Sequence, residues 1–559
     1  MEVSKQYTDI IGGHGRFQLT ILVFCIFCAT PECFHDFTIT FFAPNIDYWC
    51  ARPETVRRSN VSVEEWRNFS LPIVKSRTGV EEYSHCTMYN ISIHGGELHR
   101  NNIEIVQCDS WEYDHSHYKR TIVDQWNLVC DREWLVSMAK TVYMLGFLFG
   151  SIANGQLSDR FGRRKVMLLC LCIFLVFAFL TLLSENIIMF LIFRFFLAFG
   201  LTSLYVNSAV ILSEITSAQY RSIYVFAFKF GYILGYPLTP LIAWLVPDWF
   251  WLQLIFTLPW LSLLCAFWIL PETPKWLLSH RKFSELEKVL LHAAEKNGKD
   301  MKQAQIEISD FVSYHSQRDY VEEKATMFDL LRPKMRKNTI NIFFSWFINS
   351  YIYFALSWNT NDLAGDPYWN FFITGAVELP EVFVFIFLCR YIGNRLGLAI
   401  ANVLSGICLI GMVCVPPDMV WLTISLAMSG KFFCSGAFDT EYVYTPELYP
   451  TVLRNVAIGS SSTVARISAL VSPFIHPLAD VTYPWVPMAV PGALSILSGL
   501  LVLLLPETKG KILPDTLEEG EIFFSKQEAV DSLCSVDSKN KQEIELKKLA
   551  DMELLNKEL

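Results

Sequence analysis

Three short patterns occur twice in this chain, each copy lying at the end of a long apolar stretch. Asp159-Arg160-Phe161-Gly162 is matched by Asn394-Arg395-Leu396-Gly397, and Pro271-Glu272-Thr273 by Pro506-Glu507-Thr508, both 235 residues on. Glu214 with Arg221 is matched by Glu447 with Arg454, 233 residues on and with the same internal spacing of seven. Three pairs in one order imply a duplicated membrane unit, in which two helical bundles enclose a site between them.

With 52% hydrophobic and 18% charged residues, a chain of 559 residues is too apolar to be a soluble globular protein. Spans of about 20 apolar residues can be placed at 17–42, 134–156, 166–184, 187–213, 222–246 and 249–270, then at 339–358, 369–389, 396–415, 419–444, 456–476 and 484–505. The expected fold is therefore all-α, with twelve transmembrane helices in two six-helix, pseudo-symmetric bundles, 17–270 and 339–510. Residues 1–16, the central loop 271–338 and the tail 511–559 are polar. The central loop and tail read as a solvated linker and a mobile tail, with patches of helical period such as Leu286, Val289, Leu290 and Ala293. The first apolar run lacks a clear small-residue cleavage site and reads as a signal anchor. Arg160 to Lys165 carries four basic residues in six, and a second basic run, Arg332 to Lys337, precedes helix seven. By the positive-inside rule both are cytoplasmic, which puts both termini inside and loop 43–133 outside. That loop holds Cys50, Cys86, Cys108 and Cys130, with glycosylation sequons at Asn60, Asn68 and Asn90. Four cysteines and three sequons in one segment imply an extracellular, glycosylated loop with two disulfides, of which three connectivities are open.

The run Gly155 to Arg164 resembles the signature of the major facilitator superfamily. Asp159 suits a neighbouring helix N-terminus, and Arg160 and Arg163 can bridge to carboxylates on the cytoplasmic face. Together with Glu214, Arg221, Glu272, Glu447, Arg454 and Glu507 they are expected to form a cytoplasmic salt-bridge gate. Its second copy should be weaker because Asn394 replaces the acid. Pro271-Glu272-Thr273-Pro274-Lys275-Trp276-Leu277-Leu278 resembles a motif shared by sugar porters and organic ion transporters. The large cysteine-bearing loop, Trp126 to Cys130, and Tyr442 to Asn455 are similar to the second group only. The resemblance is to the organic cation, anion and zwitterion transporters of solute carrier family 22, and covers the chain to about residue 517. Pro31, Phe34, Tyr205, Tyr353-Phe354, Tyr442 and Tyr444 resemble its carnitine-type branch.

Charges inside a bilayer cost about 2.5–3.5 kcal/mol each on insertion scales and normally face a wet cavity. Glu32, Asp36, Lys229, Glu378, Asp439, Glu441 and Arg466 fall within spans. Glu32 and Asp36, four apart, share a helix face with room for a cation between them. Asp439 and Glu441, two apart, point in different directions, and the resemblance implies that Asp439 is the one lining the cavity. Lys140 and Arg194 lie nearer span ends, where long basic side chains can snorkel, the reading favoured for Lys140. The resemblance implies that the position of Arg466 is an acid in the cation carriers and an arginine in the anion and carnitine-type branches, where it can hold a carboxylate. An internal pair between Arg466 and Asp439 is the alternative. Tyr205, Trp346, Tyr353, Trp358, Tyr442 and Tyr444 offer aromatic faces for an ammonium group. Glu32, Asp36 and Lys229 depart from the carnitine-type pattern.

No nucleotide-binding glycine loop, metal-spaced cluster or catalytic triad is present, so neither an enzyme nor an ATP-driven pump is expected. The expected function is a plasma-membrane carrier, working by alternating access, for small organic cations or zwitterions of carnitine or betaine type. The alternatives are an organic anion carrier, a sugar-porter-like carrier or a non-transporting receptor. Expected partners are a small organic ion and the lipid bilayer, with no nucleic acid or nucleotide and the monomer sufficing. No cofactor is expected, and coupling to Na+ or H+ stays open.

Overall fold

The computed structural model describes residues 7–57, 61–75, 81–94, 97–316, 326–358, 365–416, 418–450, 452–475, 478, 482–483 and 485–509. Sequon Asn60, residues 317–325 of the central loop and the tail 511–559 lie outside them.

Every expected span is occupied by helix. The first bundle consists of Arg16–Phe42, Trp134–Phe161, Arg163–Leu182, Ile187–Ile215, Ala218–Leu245 and a sixth segment that runs Trp249–Thr257, Leu258–Cys265 and Ala266–Ile269. The second consists of Arg336–Trp358, Pro367–Ala376 with Glu378–Ile392, Asn394–Val413, Val420–Leu448, Arg454–Val471 and Val486–Val502. These are helices one to twelve below. Eight spans are long and apolar enough to cross a membrane by that measure alone. Helices five, ten, eleven and twelve are the others. Of these, ten carries Lys431, Asp439, Glu441 and Glu447, and twelve is only 17 residues long.

Packing repeats between the halves. Helix one packs on five, two on four, three on four and three on six; correspondingly, seven packs on eleven, eight on ten, nine on ten and nine on twelve. The bundles meet where five touches the first part of eight and where eleven touches two, which is the same contact under the pseudo-two-fold. Within a bundle, close approach of two helices needs small residues. At Gly231 of helix five, an added Cβ would stand 2.2 Å from the Ile26 carbonyl oxygen of helix one.

Two helices are interrupted for identifiable reasons. Helix eight breaks at Val377, where Pro380 has no N–H to offer the carbonyl four residues before it. The break places Glu378 and Glu381 in the first turn of the following segment, where the helix dipole favours carboxylates. Helix six passes through a 3-10 stretch that begins at Leu258-Pro259.

The loop between helices one and two is a small disulfide-bonded domain of three antiparallel strand pairs, Tyr48–Cys50 with Trp111–Tyr113, Ile73–Lys75 with Glu81–Tyr83, and Thr87–His94 with Glu97–Gln107. Cys50 pairs with Cys108 and Cys86 with Cys130, which selects one of the three connectivities. The domain's own core gathers Trp49, Val56, Trp66 and Leu71 around Cys50 and Cys108. Asn68 is exposed and accepts from the Tyr83 hydroxyl; Asn90 donates to Glu104 at 2.7 Å.

The central loop is more ordered than a solvated linker. It forms helices Pro274–Ser279, Phe283–Lys296 and Met301–Ser316, whose Leu286, Leu290, Ala293, Ala294, Ala304 and Ile308 are buried. These pack against the short N-terminal helix Tyr7–Ile11. Asn297 ties the two together: its Nδ2 donates to Ile11 O at 2.8 Å and Gln18 Oε1 at 3.0 Å, and its Oδ1 accepts from Phe17 N at 2.9 Å. Burying that apolar row against the N-terminal helix is what fixes the segment.

Candidate functional site

Two clusters of charge stand out. One lies on the face that bears the Arg163 loop, and the other lies between the bundles.

On the first, Arg163 Nη2 contacts Asp159 Oδ1 at 2.8 Å and Glu214 Oε1 at 3.2 Å. Glu272 Oε1 accepts from the Arg163 and Arg164 amides at 2.8 and 3.2 Å, and Trp276 Nε1 donates to Asp159 O at 2.8 Å. Burial raises the Glu272 carboxyl above its ordinary value, opposed by the amides of Arg164, Thr273 and Arg163. Gly162 turns here at φ +101°, and an added Cβ would lie 2.3 Å from Glu272 Oε2. In the other half, Gly393 turns at φ +93° with the Glu507 carboxylate 2.8 Å from its would-be Cβ. Asn394 Nδ2 donates to Glu447 Oε2 at 2.8 Å, Thr508 Oγ1 donates to the same oxygen at 2.6 Å, and Arg395 approaches Glu507 at 3.8 Å.

This geometry corrects the register of the repeat. Gly162 corresponds to Gly393 and Arg163 to Asn394, since each pair has the same backbone turn or the same acidic partner. Asn394 therefore stands in place of Arg163 and not of Asp159, and the matching Asn-Arg-Leu-Gly letters are displaced by four. Among the described residues, Arg221 and Arg454 make no ion pair in the expected gate. Arg221 is exposed and donates to Ser213 O at 3.1 Å, and Arg454 donates to Tyr449 O at 3.3 Å. Both arginines cap carbonyls at the end of the preceding helix, as basic groups do at a C-terminus. Arg160 is exposed, with its guanidinium 5.4 Å from the Phe161 ring. Among the described residues, no ion pair joins the two networks, so each is internal to its own bundle in this conformation.

Between the bundles, Asp36 accepts from Tyr143 at 2.6 Å and from Tyr232 at 3.2 Å, and its carbonyl accepts from Trp358 Nε1 at 3.0 Å. Each of its carboxylate oxygens thus accepts from one tyrosine, Tyr143 on Oδ1 and Tyr232 on Oδ2. Glu32 is buried, and its Oε2 has no hydrogen-bond partner. Arg194 does not snorkel: it is buried, donates to Thr38 and His35 O, and lies 4.5 Å from the Tyr143 ring. Lys229 pairs with Asp439 across the bundle interface, so the alternative Arg466–Asp439 pair does not form. Glu441 is fully buried and accepts from Asn349 at 2.8 Å, in keeping with the two acids pointing apart. Glu378 accepts from Tyr353 at 2.8 Å and pairs with Lys431 at 3.4 Å. Arg466 donates to Ser462 and lies 4.7 Å from the Phe147 ring, with no carboxylate at ion-pair distance among the described residues. Glu32, Asp36 and Tyr205 are within its electrostatic reach.

The aromatic candidates divide. Tyr205, half-buried beside Phe228, and Tyr442, 42% exposed, are accessible. Trp346 is fully buried and bonds Thr445, while Trp358 is buried and spent on Asp36. Both tryptophans are packing residues, not open faces, as is Tyr444, whose hydroxyl donates to Pro506 O.

The chain matches the Sugar (and other) transporter family over residues 88–519. Organic cation transporter protein of Drosophila melanogaster is 35% identical over 533 residues, covering 93% of this chain and 95% of that protein. Organic cation/carnitine transporter 2 of Homo sapiens is 33% identical, covering 92% and 93%. Solute carrier family 22 member 4 of Mus musculus is 32% identical, covering 92% and 94%. This chain belongs to solute carrier family 22. The fold agrees: the partially occluded, inward-open xylose transporter XylE from E. coli superposes with a TM-score of 0.57 at 16% identity, over 89% of this chain and 100% of that one. The protein is thus a multi-pass membrane transporter of the major facilitator fold and not an enzyme.

Two charged residues of this carrier's interior were not singled out from the sequence. Lys431 is 1% exposed, donates to Ser357 at 2.5 Å and lies 3.0 Å from the Tyr353 ring centroid. Glu381 is equally buried, and its Oε1 has no partner. Both lie within apolar spans, so the rule that picked out Glu378 and Asp439 applies to them as well. With Lys229 on Asp439 and Lys431 on Glu378, six further interior charges make no ion pair among the described residues; Arg194, Asp36 and Glu441 have only neutral hydrogen-bond partners, and Arg466, Glu32 and Glu381 keep unpartnered side-chain atoms. The carrier's interior therefore offers one guanidinium and separate carboxylates, with Tyr205 and Tyr442 nearby.

Proposed function

We propose that the protein carries small organic cations or zwitterions of the carnitine or betaine type across the plasma membrane by alternating access. Both termini and the Arg163 loop then face the cytoplasm, and the disulfide-bonded domain faces outward. The observation that carries the substrate reading is Arg466: a guanidinium between the bundles, lacking an acidic partner, within electrostatic reach of Glu32. A zwitterion satisfies both ends, its carboxylate on Arg466 and its ammonium against an interior carboxylate and the aromatic faces. Two relatives carry organic cation or carnitine transport in their names, which supports the same substrate class. An organic anion carrier is the second reading, favoured by the same free arginine. Against it, Lys229 and Lys431 are already engaged by Asp439 and Glu378.

Uptake into expressing cells of radiolabelled carnitine, tetraethylammonium and an arylcarboxylate tests the proposal. Saturable uptake of carnitine or tetraethylammonium is expected. Uptake of the arylcarboxylate alone, without competition by quaternary ammonium compounds, would establish the anion reading in its place.

A further inference from the structure

Among the described residues, Lys229–Asp439 is the one ion pair that joins the two bundles. Its lysine comes from helix five and its acid from helix ten, beside the interface where helix five meets helix eight. The pair is not sealed away: the side chains are 29% and 14% exposed. A second acid stands next to it. Glu381, in the first turn after the break in helix eight, is 1% exposed, has an unpartnered Oε1, and interacts electrostatically with both Asp439 and Lys229. Asp439 also keeps one oxygen, Oδ2, without a partner. One amine thus pairs with Asp439, while a second carboxylate within its electrostatic reach keeps an oxygen unpartnered.

An unpaired carboxylate is expensive in such a place, and removing the partner of a buried charge costs far more than the pair contributes. A lysine has a compact charge on a flexible four-carbon stem and can move between two acids without leaving the site. Building on the cation or zwitterion reading above, we propose that Lys229 is a tethered stand-in for the substrate's ammonium group. In the empty carrier its amine occupies Asp439 and bridges the bundles; an arriving ammonium takes Asp439, and Lys229 shifts to Glu381. The loaded and the empty carrier then both hold a neutralised Asp439, so both can reorient. A carrier without the lysine would reorient readily only when loaded.

Reconstituted full-length protein provides the test, with tetraethylammonium and carnitine as the probes. Uptake into empty vesicles requires return of the unloaded carrier, whereas exchange into vesicles preloaded with the same probe does not. In Lys229→Met, the ratio of exchange to uptake into empty vesicles should rise about tenfold or more over the unmodified protein. Lys229→Met/Asp439→Asn, which removes both charges together, should bring that ratio back to within about twofold, while raising the KM for tetraethylammonium about tenfold. An unchanged ratio in Lys229→Met, or a raised ratio that persists in the double variant, overturns the inference while leaving the substrate reading intact. If Lys229→Met does not reach the membrane, an unchanged KM in the double variant overturns it. If the unmodified protein carries neither probe, the substrate reading falls and this inference falls with it.

Discussion

Asn394→Asp separates the two registers of the repeat. If Asn394 corresponded to Asp159, the substitution would restore a missing acid and strengthen the second half. In the structure Asn394 occupies the place of Arg163, and its Nδ2 donates to Glu447 Oε2 at 2.8 Å. The substitution removes a hydrogen bond to a charged group, worth about 1.5–3 kcal/mol. It also sets two carboxylates about 3 Å apart, which repel by about 5 kcal/mol at an effective dielectric of about 20. Rotation of the new side chain toward solvent relieves most of that repulsion, and the expected net loss is about 2–4 kcal/mol. A unit the size of one bundle shifts by about 2–4 °C per kcal/mol, so the apparent melting temperature should fall by about 5 °C or more. Intrinsic tryptophan fluorescence of the detergent-solubilised protein during heating reads this directly. Asn394→Arg should hold or raise the melting temperature, because Arg163 makes the corresponding contact with Glu214 at 3.2 Å. Stabilisation by Asn394→Asp together with destabilisation by Asn394→Arg would refute the structural register.

Lys431→Met should destabilise by about 3–5 kcal/mol by stranding Glu378, and adding Glu378→Gln should recover most of it; a double variant no more stable than the single one counts against a paired core. Gly162→Ala, at φ +101° with the Glu272 carboxylate in the path of the new methyl, should cost about 1–3 kcal/mol, and Gly393→Ala a similar amount; ordinary melting temperatures for both would remove the two turns as structural equivalents. Glycosidase treatment of the protein from expressing cells should increase its gel mobility, and joint replacement of Asn60, Asn68 and Asn90 by Gln should abolish the change; mobility indifferent to the enzyme would withdraw the outward placement of that domain.

The bundle architecture was legible because hydrophobic length and duplication act over hundreds of residues, and every expected span proved helical. The interior of the site was less so. Trp346 and Trp358 lie on helix seven, which is buried on several sides, so helical spacing alone does not distinguish a cavity face from a packing face. The partners of Asp36 were not legible because only i and i+4 on its own helix are visible in sequence, whereas Tyr143 and Tyr232 reach it from helices two and five. Arg194 was placed at the membrane edge by its position in the span, yet Tyr143, Thr38 and the His35 carbonyl together hold it inside. The register error at Asn394 has a different origin: an Arg and a Gly at matching places in four letters outweighed the positive-φ glycine, which is a property of the backbone. Cysteine pairing was beyond sequence for the same reason, since Cys50 and Cys108 are brought together by strands Tyr48–Cys50 and Trp111–Tyr113. Lys431 and Glu381 needed no structure to find, only even application of the rule that intramembrane charge marks the interior.

Arg466→Ala tests the two-ended site most directly, with uptake of carnitine and tetraethylammonium measured side by side in the same cells and corrected for surface expression. If the guanidinium holds the carboxylate of a zwitterion, carnitine uptake should fall by about tenfold or more, the worth of a charge-assisted hydrogen bond of about 1.5–3 kcal/mol, while tetraethylammonium uptake falls much less. Equal losses for both probes, or a loss confined to tetraethylammonium, would contradict the account.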